Sequence, residues 1–145
     1  MVEKLGTIRD AFGLSAGSLA DILKASRASV YNWLEHELPT ERFAQRIDQL
    51  YSIAKKWESM NVYHYPPGKL MKQKLGDGPS MQERLRREVL DTGEITMGLE
   101  DLLALMRNQR EKMDRAKIRS SKAQGDTASQ KEILERITGS ITSDK

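Results

Sequence analysis

The chain reads as an all-α protein, and three features of the sequence say so. Apolar residues recur at three- and four-residue spacings through most of residues 1–119, the period of one face of an α-helix. Ser15, Ser26, Thr40 and Ser80 each stand just ahead of such a run. A hydroxyl there accepts from the free N–H groups of a helix's first turn. Glycine and proline punctuate the intervals, at Gly13, Pro39, Pro66-Pro67 and Gly76-Asp77-Gly78-Pro79. The expected organisation is an N-terminal domain over 1–60, a connector over 61–79, a helical region over 80–119, and a flexible tail with a short helix over 120–145.

Glu3–Phe12 is the first expected helix. Leu5, Ile8 and Phe12 share its stripe, and Gly13 can end it with a positive φ. The second runs over about Ala16–Leu23, with Leu19, Ala20 and Leu23 inward. The third covers about Arg27–His36, with Val30, Trp33 and Leu34 on one face. Ala20 is small enough for two helices to cross steeply where they touch. Thr40 opens a longer fourth helix, whose Phe43, Ile47, Leu50, Ile53, Ala54 and Trp57 step by three and four. It lacks a capping box, because Phe43 stands where Glu or Gln is wanted. This stripe is expected to pack on Leu5, Ile8, Leu19, Leu23, Val30 and Trp33, with Trp33 and Trp57 as core anchors.

The pattern changes after Met60. Pro66-Pro67 bars a helix and extends the residues before it, so 61–68 reads as an extended connector, with Val62-Tyr63 an alternative short strand. Lys69–Leu75 has room for one or two helical turns. Gly76–Pro79 is a turn by residue chemistry, and no Gly-Lys-Ser/Thr follows to make it a phosphate loop. Ser80 and Glu83 have the spacing of a capping box, opening a helix to about Leu90 with Met81, Leu85 and Val89 inward. Asp91-Thr-Gly-Glu is read as a break. The last long helix is placed from about Gly98 to Arg119. Its Leu99, Leu102, Met106, Gln109, Met113 and Ala116 follow a 3-4-3-4-3 rhythm, that of a short coiled coil or of an amphipathic helix closing its own domain. Ser120–Ser129 is polar enough to be disordered, and Gln130–Thr138 carries Ile133, Leu134 and Ile137 for a short amphipathic helix.

Composition narrows the function. Cysteine is absent, which excludes disulfides and thiolate metal sites and fits a reducing cytoplasm. No apolar run reaches the roughly 20 residues of a membrane span, and the N-terminus lacks a signal-peptide core. The two histidines, His36 and His64, are far apart in sequence, with no metal-ligand spacing and no nucleophile arrangement around them. Neither a cofactor nor an enzymatic activity is therefore expected. The net charge is +3. Residues 1–60 hold eight Lys/Arg against eight Asp/Glu, and residues 99–119 hold six against four. A binding face for an anion in the first half must then be a local patch.

The stretch Gly13–Trp33, GLSAGSLADILKASRASVYNW, carries a resemblance. Gly13-Leu14-Ser15, Leu19-Ala20, Leu23, Ser26-Arg27, Val30 and Trp33 are similar to the helix-turn-helix of phage-repressor-type proteins of the Xre class. The likeness spans roughly residues 4–58. The turn departs from it: Lys24 stands where the family usually has glycine, and Ala25 where it usually has an aliphatic residue. The resemblance implies double-stranded DNA as partner. Arg27, Ala28, Ser29, Tyr31 and Asn32 would then face bases in the major groove. Ser15, Gly17, Ser18, Thr40 and Arg42 would meet phosphates.

The expected function is thus a DNA-binding transcriptional regulator, a repressor acting as a homodimer. Leu85, Val89, Leu99, Leu102, Leu103, Met106 and Met113 are the expected dimer or partner interface. The same residues closing onto the fourth helix within one chain is the competing arrangement. The alternative function is an antitoxin that binds DNA and neutralises a toxin through its C-terminal half, and a third is an adaptor that binds no DNA.

Overall fold

The computed structural model describes residues 1–125, and the helix expected over Gln130–Thr138 lies outside the described residues. Helices α1 (Val2–Phe12), α2 (Ala16–Leu23), α3 (Arg27–Leu34) and α4 (Glu41–Met60) form in the places their stripes predict. Gly13 ends α1 at φ 69°, its amide closing on the Arg9 carbonyl. A Cβ there would stand 3.0 Å from Pro66 Cβ and 3.2 Å from Gly68 Cα, so glycine also admits the later chain to the end of α1. Lys24 ends α2 at φ 58°. This is the position where the resemblance leads one to expect glycine, and lysine adopts the same left-handed conformation.

The core is one cluster. Leu5, Ile8 and Phe12 of α1, Leu19, Ile22 and Leu23 of α2, Val30 of α3, and Ile47, Leu50, Ala54 and Trp57 of α4 are fully buried in it. Trp57 stacks on Phe12 and donates its ring N–H to the Ala11 carbonyl at 3.1 Å. That bond satisfies the indole's one polar group in the interior. Trp33 is 5% exposed and tilts against Phe43 at 5.1 Å.

The division expected at residue 60 is corrected. Residues Met1–Met106 form one compact unit, and a second begins at Arg107. The segment 61–79 is packed rather than a free connector. It forms a 3₁₀ turn (Gly68–Lys72) and an antiparallel hairpin, β1 (Lys74–Leu75) and β2 (Gly78–Ser80), while Val62-Tyr63 forms no strand. Leu70, Met71 and Leu75 join the core. Apart from this small hairpin the described residues are largely helical.

Helix α5 starts at Ser80 with both bonds of the capping box present, but it spans only Met81–Leu85. The chain does not continue to Leu90 as a helix, and Arg46 of α4 holds the carbonyls at and beyond its end. Its guanidinium donates to Leu85 O and Arg87 O at 2.7 Å each, to Glu88 O at 3.2 Å, and to Ile22 O of α2 at 2.7 Å. Burial lowers the Arg46 pKa, and the nearby Glu88 opposes that. Helix α6 (Thr92–Gly125) starts earlier than expected. Asp91 does not break the chain. Its carboxylate accepts from the Glu94 amide at 3.0 Å, as an N-cap does. The helix also extends to Gly125, into the stretch read as disordered. Ile95, Leu99, Leu102 and Met106 bring α6 into the core, and Gly98 is buried against Met81 and Arg84, where a Cβ would be 2.8 Å from sulfur.

Two substitutions test this account of packing. Arg46→Met keeps the apolar stem and removes four hydrogen bonds from a charged donor. It should lower unfolding free energy in urea by about 2–4 kcal/mol, since such bonds contribute about 1.5–3 kcal/mol singly and do not add fully. Lys24→Gly should raise it by about 0.5–1 kcal/mol by relieving the left-handed conformation. A loss of stability in Lys24→Gly would show that the exposed Lys24 ammonium, 3.3 Å from Arg86 O, matters more than the backbone.

Candidate nucleic-acid interface

Helix α3 has a buried edge and an exposed one. Val30 and Trp33 point into the core, whereas Arg27, Ala28, Tyr31 and Asn32 are exposed. Ser26 caps the helix, its hydroxyl accepting from the Ser29 amide at 3.0 Å. The Ser26 hydroxyl also donates to Ser29 Oγ at 2.9 Å, so Ser29 is half-buried and turned toward the cap. Of the five residues expected to read bases, four therefore share an open polar edge and Ser29 lies at its margin.

The first turn of α2 lies beside the start of α3. A Cβ on Gly17 would sit 3.4 Å from Arg27 Nε and 3.6 Å from its Nη2. The Arg27 guanidinium thus rests against the N-terminal end of α2, where the helix dipole is positive. Ser15 caps α2 by accepting from the Ser18 amide at 3.1 Å. The Ser18 amide is then occupied, and its carbonyl accepts from Gln82 at 3.3 Å. The amides left at the open end thus belong to Ala16 and Gly17, which have no intrahelical acceptor, while Ser18 keeps its hydroxyl. Thr40 precedes α4 without a side-chain cap bond, and its residue is exposed. Arg42 is exposed too, its guanidinium 5.2 Å over the Phe43 ring.

Two cations near this surface escaped the sequence reading. Lys72 and Arg86 line a hollow with Gly17, Ser18, Asp21 and Gln82. Arg86 is paired with Asp21 at 3.1 Å, whereas Lys72 is exposed. Both come from segments more than forty residues away from α2, so no local spacing announces them. At the other end of α3, Glu35, Glu37 and Glu41 are all exposed. The N-terminal end of α3 thus offers positive charge to an anion, whereas its C-terminal side offers both signs, since exposed Arg42 stands beside Glu41.

The expected dimer or partner interface is also corrected. Leu85, Leu99, Leu102 and Met106 are fully buried within the chain, and Leu103 is partly buried against the same core. The first four have no surface left to offer a second molecule. Val89, expected to face inward, is 79% exposed, because α5 stops short of it, and Met113 is exposed as well. Among the described residues no group of three His, Asp or Glu is placed to hold a metal ion, and no helix is long and apolar enough to cross a membrane.

No family model matches the chain, and the comparisons with curated proteins and with solved structures return no significant match.

The caps give a test of the local geometry. Ser26→Ala should cost about 1 kcal/mol of stability, the usual loss for an N-cap hydroxyl. Thr40→Ala should cost far less, since its side chain makes no cap bond. Equal losses in the two variants, read from urea unfolding, would contradict the capping geometry at one of them.

Proposed function

We propose that the chain is a DNA-binding transcriptional regulator of the helix-turn-helix kind, with α3 as its reading helix and α2 as its phosphate contact. The observation that carries this reading is the exposed Arg27, Ala28, Tyr31 and Asn32 edge of α3, set beside the open N-terminal end of α2. An α-helix enters the major groove by such an edge, and backbone amides at a helix start are suited to a phosphate. Asn32 is suited to the paired donor and acceptor of adenine. Ala28 and Tyr31 are suited to a thymine methyl, and Arg27 to guanine. Lys72 and Arg42 would add backbone contacts on either side. The turn chemistry also fits, with Lys24 occupying the left-handed position that glycine fills in phage-repressor-type proteins.

Repression is the outcome this reading favours, since a small domain seated on an operator excludes polymerase by occupying the site. A homodimer on a two-fold operator remains part of the proposal, because one reading helix covers about one half-site. Its interface would not be the four residues buried within the chain.

Selection of bound duplexes from a random pool should return a common site. Arg27→Ala should then weaken binding to that site by about 1–3 kcal/mol and relax preference at one base pair. A uniform loss over all sequences, with the salt slope lowered by about 1, would reassign Arg27 to the phosphate backbone beside α2. An Arg27→Ala protein with unchanged affinity and unchanged preference would remove α3 from the groove.

A further inference from the structure

The later part of α6 has a charge pattern that packing does not account for. Residues 107–118 are all exposed. Five are cationic, Arg107, Arg110, Lys112, Arg115 and Lys117, against two carboxylates, Glu111 and Asp114. Among the described residues none of these seven takes part in an ion pair. On a helix turning about 100° per residue, Glu111 and Asp114 fall on one side. Gln109, Met113 and Ala116 fall on the opposite side, continuing the spacing of Leu99, Leu102 and Met106 with no charge. Arg110 and Lys117 border that uncharged strip on one edge, and Lys112 borders it on the other.

We propose that residues 107–118 are a second nucleic-acid contact, which binds the phosphate backbone without regard to base sequence. Duplex DNA as the particular polyanion rests on the reading of α2 and α3 above. Charge and apolar area decide against the other occupants. A second copy of this helix would bring Lys112 against Lys117 in a parallel pair, and like against like in an antiparallel one, which is repulsive in either case. An acidic helix from another protein would gain little from exposed ion pairs, and Met113 and Ala116 offer too small an apolar area to offset the cost of association. A polyanion needs no apolar strip. Each cation that meets a phosphate releases counterions already condensed on the nucleic acid, so binding grows with charge alone. Both contacts lie on one chain, so engagement of either raises the effective concentration of the other.

The test uses the full chain with Arg110→Gln, Lys112→Gln, Arg115→Gln and Lys117→Gln combined, glutamine being nearly as good a helix former as lysine or arginine. Binding to a fluorescent duplex of scrambled sequence is followed by anisotropy across a range of potassium chloride concentrations. Removing four cations should lower the log–log salt slope by about 3 to 4, and low-salt affinity at least about tenfold, with helix content unchanged by circular dichroism. Met113→Gln should change neither quantity. An unchanged slope in the quadruple variant overturns the proposal. So does a wild-type protein that fails to bind the scrambled duplex at any salt. A loss seen only with anionic phospholipid vesicles, or an equal loss in Met113→Gln, also rejects it and points to a membrane or a protein helix instead. Arg27→Ala, measured alongside, separates the two readings: it acts on sequence preference, whereas the quadruple variant acts on the salt slope.

Discussion

One guanidinium sets the arrangement of the N-terminal unit. Arg46 leaves α4 half-buried and distributes its donors over four carbonyls, one at the end of α2 and three at and beyond the end of α5. Among the described residues no carboxylate pairs with it. The negative ends of two helix dipoles and the open carbonyls of two chain turns take the charge instead. A lysine could not do this, having no planar fork to bridge separate acceptors. The contact holds the chain where α5 ends after Leu85 and turns at Arg86–Glu88, and thereby positions Asp91 to start α6. Gln82 and Arg86 then reach α2 through Ser18 and Asp21.

The first four helices were legible because each carries two agreeing signals, an apolar stripe and a residue suited to its boundary. Trp57 and Trp33 fall where the period puts them, and the Ser80–Glu83 box is formed as its spacing indicates. The later chain was harder to read for physical reasons. Val89 continues the stripe of α5, but the chain leaves the helix after Leu85, where Arg46 binds the carbonyls of Leu85, Arg87 and Glu88. Asp91-Thr-Gly-Glu looks like a break because glycine follows, yet the carboxylate of Asp91 makes it a beginning. The packing of Leu70, Met71 and Leu75 has no periodic signature, since a 3₁₀ turn and a two-residue strand are too short to show one. The exposed edge of α3 was legible from spacing alone. Lys72 and Arg86 beside α2 were not, being brought there by the fold.

Charge is segregated more finely than the regional totals suggest. Residues 1–60 balance to zero, yet Arg27 lies at one end of α3 while Glu35, Glu37 and Glu41 gather at the other. On the proposed reading, this difference would orient a polyanion approaching α3 before any base is contacted. The start of α2 would attract it, and the glutamates would leave exposed Arg42 to hold it on the other side. The second unit carries no such opposition along residues 107–118, where the carboxylates are confined to one side of the helix.

The long-range character of the Arg46 contact has a bearing on how the chain reaches its native state. Position 46 is joined at once to position 22 and to positions 85–88, so two extended loops must close before the ends of α2 and α5 are satisfied. These separations, 24 to 42 residues, are similar to the 46 that Trp57 spans to reach Ala11, so the Arg46 contact and the α1–α4 pair carry comparable loop-closure entropy. The α2–α3 surface has its full support only once residues 70–106 are packed into the same core. A genetic screen for loss of function should accordingly recover substitutions scattered through that later segment, at positions that never meet a ligand.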